Sequence, residues 1–181
     1  MQACEKLEAL NCRSISIKTA LIPGTFDPPT LGHLDIIQRA SSLFETLYIG
    51  IATNSAKMNK PLFSIKERIE ILKELTKPLR VCKIVSFSSL AVDYAKNMNI
   101  HVIVRGLRAF SDFECEFRMA LTNRQLSGIE TLFLMADERT THISSTLIRE
   151  LIQHRAHLSG FVPKKVEEKI YGSKLHTKKK R

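Results

Sequence analysis

The chain has 181 residues, 44% apolar and 25% charged, with a formal net charge of +10. That length and composition suit one soluble domain with a real core and leave two full domains cramped. No apolar run approaches the roughly 20 residues that cross a bilayer, and Glu5, Lys6, Glu8 and Arg13 interrupt any secretory leader, so no membrane association is expected.

Residues 1–15 carry no turn or strand grammar and are expected to form a flexible extension. The folded domain is expected over 16–172. Its first strand is read over 15–22, apolar and β-branched, and broken by Pro23-Gly24. Helical spacing of Leu34, Ile37, Ala40 and Leu43–Phe44 predicts a helix over 31–44. A strand over 47–52 follows, then a helix over 64–75 opened by the capping box of Ser64 and Glu67. The alternation continues with a strand over 81–87, a helix over 90–98 and a strand over 100–104. Next come a helix over 111–126, a strand over 131–135 and a helix over 144–154, with a last helical piece after Pro163.

Eight Lys or Arg and two Glu fall between Lys164 and Arg181, so most of the net positive charge sits at that end. Residues 173–181 read as a basic tail. It is a solvated end rather than a nucleic-acid arm, because no aromatics are interleaved with the charges. The scattered cysteines Cys4, Cys12, Cys82 and Cys115 contain no C-x-x-C pair. They read as reduced thiols in a cytoplasmic protein.

Strands alternating with helices predict an α/β fold: a single-domain, Rossmann-like, doubly wound parallel sheet of five strands. The near-continuous apolar strands agree with burial on both faces. Ligands of such sheets bind beyond the carboxyl ends of the strands. The polar, aperiodic residues of this sequence fall there.

The first strand runs into GTFDPPTLGH, Gly24 to His33. Its glycines and prolines fix a tight loop before a helix, with Thr30 as cap and His33 in the first turn. Free N–H groups at that helix start favour phosphate, and His33 can donate to a phosphoryl oxygen. The second strand leads to Asn54, Ser55, Lys57 and Lys60, and the fourth to Arg105-Gly106-Leu107-Arg108. After the fifth come Thr140-Thr141-His142-Ile143 and then Ser144-Ser145-Thr146, a helix cap that doubles as an anion cradle, with Arg149 one turn in. Each cluster also admits a plain surface or capping reading. Convergence of cations from three strand ends favours phosphate chemistry. No Walker motif, G-x-G-x-x-G or carboxylate cluster for a resident metal is present, which points to nucleotidyl transfer with Mg²⁺ carried on the substrate.

GTFDPPTLGH, RGLRA at Arg105 and ISSTLIR at Ile143 resemble the nucleotidyltransferases with the (H/T)-x-G-H motif. With DFECEF at Asp112 and PLFSIKER at Pro61, the match resembles the bacterial phosphopantetheine adenylyltransferases over about residues 17–171. The resemblance implies adenylyl transfer from ATP to 4′-phosphopantetheine. The products are dephospho-coenzyme A and pyrophosphate, the penultimate step of coenzyme A synthesis. It further implies direct attack without a covalent intermediate, Mg²⁺ as the ion and a homohexamer. By motif, Thr25 and His33 hold the α-phosphate, with His33 stabilising the transition state; Phe26 belongs to the ATP site and Thr25 also to the acceptor site. Lys57 and Arg105 grip the acceptor phosphate, and Leu90–Ala91 border the pantetheine arm. Gly106, Leu107, Arg108, Glu116, Thr140, Thr141, His142 and Ile143, with the Ser144–Thr146 cradle, complete the ATP site. Three features depart from the pattern: Thr140–His142 where relatives place aromatics, Cys115 in place of a Tyr, and an apparent insertion at Met58-Asn59 that makes Lys60 a rival to Lys57. Other readings of the same residues are a relative using nicotinate or nicotinamide mononucleotide or a phospho-alcohol, and a basic nucleic-acid-binding protein.

Overall fold

The computed structural model describes residues 18–53, 61–108 and 110–172. Five strands, β1 (Thr19–Gly24), β2 (Thr46–Ala52), β3 (Cys82–Phe87), β4 (Val102–Leu107) and β5 (Glu130–Met135), form one parallel sheet in the order β3-β2-β1-β4-β5. Helices α1 (Leu31–Ser41), α2 (Ile65–Leu75), α3 (Ala91–Asn97) and α4 (Phe110–Ser127) make the crossovers, and α5 (Ser145–Gln153) and α6 (Lys164–Tyr171) close the described chain. This is the doubly wound α/β architecture expected from the alternation.

Strand alternation explains the two layers. Ala20, Ile22, Leu47, Ile49, Ile51, Val102 and Val104 point to one face and pack with Ile36, Ile37 and Ala40 of α1 and Leu72 of α2. Leu21 and Ile103 point to the other face and meet Val92 and Ala95 of α3, with Ile100 and Ile129. A third cluster joins Phe63 and Ile71 to Ile143, Ile148, Leu158, Val162 and Val166, so α5 and α6 dock against the α2 side.

Most predicted boundaries fall within two or three residues of the observed ones, and the differences have physical causes. The 15–17 part of the first predicted strand, the flexible extension and the basic tail lie outside the described residues. β1 continues through Pro23 and Gly24, which pair with Gly50 and Ile51 of β2. Its pairing with β4 stops at Leu21 and Ile103, so the N–H that Pro23 lacks breaks no ladder bond there. α1 stops at Ser41 rather than at 44. There Ser42 and Leu43 turn back on Arg39 and Ala40, and Phe44 drops into the core. β4 spans 102–107 rather than 100–104, because β5 pairs with it as far as Leu107 opposite Met135. On α6, Lys165 pairs with Glu74, and Lys169 lies 3.8 and 3.7 Å from Glu67 and Glu70.

Gly50 in β2 admits no side chain: an added Cβ would lie 2.6 Å from the Phe87 ring and 2.8 Å from Leu21 Cδ1, both buried. Gly50→Ala is expected to lower stability by roughly 1–3 kcal/mol, read by urea unfolding, through overpacking of the sheet centre. An unchanged midpoint would contradict this packing.

Candidate active site

The strand order reverses between β1 and β4, so their carboxyl ends open a crevice where such sheets bind ligands. His33 stands in this crevice as the third residue of α1. Thr30, 1% exposed, caps the helix: its Oγ accepts the His33 N–H at 3.3 Å, and His33 Nδ1 accepts the Thr30 N–H at 3.0 Å. This reciprocal bond fixes the tautomer. Nδ1 is the acceptor, so the neutral ring carries its proton on Nε2. Burial, then the positive charges of Arg108 and Arg105, lower the His33 pKa to about 4. The imidazole is therefore neutral near pH 7, a hydrogen-bond donor rather than a cation. Phe26, 1% exposed and at φ 49°, packs edge-on against the ring with centroids 5.1 Å apart.

The loop between β1 and α1 is held from beneath by Asp27, 2% exposed. Its Oδ2 accepts the Leu62 N–H and its Oδ1 the Phe63 N–H, both at 2.8 Å. Arg149 of α5 donates to the same carboxylate and, through Nε at 3.1 Å, to the Asp27 carbonyl. Arg68 of α2, 3% exposed, lies 3.8 Å from Oδ1. It also donates to the carbonyls of Phe63 at 2.9 Å and Thr25 at 3.0 Å.

Arg105 and Leu107, read from the sequence as post-strand residues, are the last turns of the pleat in β4. Arg105 donates through Nε (2.7 Å) and Nη2 (2.5 Å) to Glu116 of α4, and through Nη1 (2.9 Å) to the Pro23 carbonyl. Bidentate pairing of this kind fixes the plane of a guanidinium as well as its place. Gly106 has a packing reason as well: a Cβ there would come within 3.0 Å of Ile36 Cγ1 on α1. Arg108 donates to the Ile143 carbonyl at 3.1 Å, while Thr141 Oγ donates to the Arg108 carbonyl at 2.7 Å. The β4 end and the loop before α5 are thereby joined.

Residues 21–151 match the cytidylyltransferase-like family. A curated phosphopantetheine adenylyltransferase from Caldanaerobacter subterraneus subsp. tengcongensis is 46% identical over 155 residues, which cover 85% of this chain and 96% of that protein. The chain belongs to the phosphopantetheine adenylyltransferases. A solved structure from Vibrio parahaemolyticus, provisionally described as a nicotinate-nucleotide adenylyltransferase, shares the fold at TM-score 0.58. It is 18% identical and covers 84% of this chain and 97% of that one.

With that family in view, the sequence-read residues sort themselves. Thr25, Phe26, His33, Arg105, Gly106, Leu107 and Arg108 gather at the β1 and β4 ends. In the cradle, Ser144 Oγ accepts the Leu147 N–H at 3.1 Å and so caps α5, while Ser145 Oγ donates to the Pro28 carbonyl at 3.1 Å. Thr146 is exposed. Thr140 turns on Asp137, and His142 sits edge-on to Phe161 with centroids 5.8 Å apart. Leu90, 60% exposed, precedes Ala91 at the start of α3. Arg149, read as a cradle cation, serves Asp27 instead. Lys57 and Lys60 lie outside the described residues. Sequence reading missed the roles of Asp27 and Arg68. The available signal was an acid inside the Pro-rich loop and an Arg at the inward spacing of α2, one residue before Ile69 and three before Ile71.

Proposed function

We propose that the chain transfers the adenylyl group of ATP to 4′-phosphopantetheine, releasing pyrophosphate and forming dephospho-coenzyme A. The observation that carries this reading is His33: neutral, locked by Thr30 with Nε2–H free to donate, and flanked by Arg105 and Arg108. The acceptor phosphate, already an anion, attacks the α-phosphorus, and the bond to the β-phosphate breaks as pyrophosphate leaves. No proton need be removed from the nucleophile, so the work is positioning and charge neutralisation. His33 donates to an α-phosphate oxygen as charge builds, with Thr25 and Phe26 lining that side. Arg105, its guanidinium plane oriented by Glu116, and Lys57 orient the acceptor phosphate. Arg108 and the α5 N-terminus receive the β- and γ-phosphates, with Gly106, Leu107 and Thr140–Ile143 along the nucleotide. Leu90 and Ala91 border the acceptor's arm.

The donors facing the crevice are guanidinium, imidazole, hydroxyl and backbone N–H, which suit phosphate oxygens better than a metal ion. Mg²⁺ is accordingly assigned to the ATP phosphates, arriving as MgATP, where it neutralises charge. Among the described residues no helix is long and apolar enough to cross a membrane. A cytoplasmic setting matches the substrates.

Self-association, as the homohexamer implied by the resemblance, is supported by α4 and the edge strand β5. Phe113, Phe117, Met119, Leu121 and Leu126, with Leu132 and Met135, are each between 38% and 64% exposed. A run of exposed apolar side chains on one helix and its adjacent strand marks an interface. Leu126→Glu is expected to shift the sedimentation coefficient toward the monomer, and a wild type that sediments as a monomer would contradict the assembly.

The acceptor is tested by initial rates of pyrophosphate release from MgATP with 4′-phosphopantetheine, nicotinate mononucleotide or nicotinamide mononucleotide in turn. A rate at least about 100-fold higher with phosphopantetheine is expected, the scale of discrimination open to a site that pairs with its substrate's polar groups. Equal or faster turnover with either mononucleotide would overturn the acceptor assignment.

A further inference from the structure

We propose that Asp27 is a positioning residue for adenylyl transfer, a role that rests on the function proposed above. Its carboxylate sets three parts of the site relative to one another. The first is its own loop, which carries Thr25 and Phe26 and leads to His33. The second is the segment entering α2, whose Leu62 and Phe63 N–H groups it binds at 2.8 Å. That segment enters α2, whose Arg68 also donates to the Thr25 carbonyl at 3.0 Å. The third is α5, whose Arg149 donates to both the carboxylate and the main-chain carbonyl of Asp27. The N-terminus of α5 is the phosphate cradle, and Ser145 ties it to Pro28, one residue after Asp27.

Both carboxylate oxygens are occupied by the protein. Oδ1 takes Phe63 and faces Arg68, and Oδ2 takes Leu62 and Arg149. The side chain is 1% exposed, so Asp27 has no surface to offer a substrate and acts only through its partners. The arrangement also exceeds what a helix cap or turn acid needs. Its amide partners lie 35 and 36 residues away in sequence, and they are reached from a loop that Arg68 grips a second time at the Thr25 carbonyl. The α-phosphate side and the β,γ-phosphate side thus share one buried anion. In an in-line transfer the reacting atoms must be aligned closely, and a misplacement of about 1 Å costs on the order of 10² in rate.

Asp27→Asn is the direct probe. Asparagine keeps the shape but has one acceptor oxygen. Whichever way the amide turns, its NH₂ faces an N–H of Leu62 or Phe63 and an arginine. In the full-length chain with MgATP, kcat is expected to fall by about 10- to 100-fold, with KM for both substrates changed less than about threefold. Arg149→Lys keeps the charge but loses the fork, and is expected to lower kcat in the same sense by a smaller factor. Thermal melting of each variant reports the folded fraction, so kcat is expressed per folded enzyme. A folded Asp27→Asn enzyme with kcat within twofold of wild type would overturn the inference, even with a lowered melting temperature. If Asp27→Asn does not melt cooperatively, wild-type kcat in Arg149→Lys overturns it instead. The comparison is a ratio taken with whichever acceptor the wild type turns over. Failure of the phosphopantetheine reading therefore appears in the wild type alone, and failure of the positioning role appears in the ratio.

Discussion

Replacing His33 with alanine is expected to lower kcat by on the order of 10²–10³, the typical cost of removing one preorganised donor to a developing oxyanion. ATP affinity should be nearly unchanged, because the lost bond strengthens only as charge builds in the transition state. Nδ1 is committed to the Thr30 N–H, so Nε2–H is the donor that alanine deletes. His33→Gln separates chemistry from helix integrity. Glutamine at this third helical position can still accept the Thr30 N–H as a capping box, so its fold should survive while turnover falls. Unchanged kcat in both variants would remove His33 from the mechanism.

The same residue sets a pH dependence of stability. Its folded pKa is lowered to about 4 from an ordinary 6.5. Between those values the unfolded chain binds the extra proton and the folded chain does not, so stability rises with pH across that window. The contribution is fully present above about pH 6.5 and is lost as pH falls toward 4. The wild-type melting temperature should thus drop more between pH 7 and pH 4.5 than that of His33→Gln. Equal drops would contradict a neutral, half-buried His33.

Arg68→Ala is expected to lower unfolding free energy by roughly 3–5 kcal/mol, the range for breaking one side of a buried pair. The guanidinium is 3% exposed and serves the Thr25 carbonyl, the Phe63 carbonyl and the Asp27 carboxylate. Alanine would leave one buried and one half-buried carbonyl without this donor and a buried anion with one cation fewer. The two amide N–H groups and Arg149 still hold Asp27, which favours the lower end of that range. Set against a total of about 5–15 kcal/mol for ordinary domains, the loss is large. Urea unfolding at pH 7 measures it, and a loss under about 1 kcal/mol would show that Arg68 is a dispensable surface-type charge.

The sheet was legible in the sequence because its central strands β1, β2 and β4 carry buried apolar runs, and the helices between strands have clear caps, such as Thr30 and Ser64. The residues that gather at the β1 and β4 ends were legible because polarity at a strand end is unusual in such a fold. Other features hid for physical reasons. Arg105 and Gly106 look like loop residues, yet one is held by Glu116 and the other makes room for Ile36, so the strand continues through them. Asp27 sits among prolines, where an acid usually means a turn. Its partners come from α2, α5 and residues 62–63, a convergence visible only in three dimensions. Arg68 stands at the inward spacing of α2, but an arginine there reads as a surface charge, and Arg149 gave no local sign that it turns toward Asp27. The apolar side chains of α4 are spread around the helix rather than striped, so periodicity did not reveal which of them stay exposed.

The identity of the products decides which acceptor the chain adenylylates. Purified full-length chain is mixed with MgATP and 4′-phosphopantetheine, and the products are resolved by mass spectrometry. Dephospho-coenzyme A and pyrophosphate are expected in equal amounts, with the yield falling in step with kcat in His33→Ala. Intact 4′-phosphopantetheine beside adenylylated nicotinate mononucleotide in a parallel reaction would contradict this expectation.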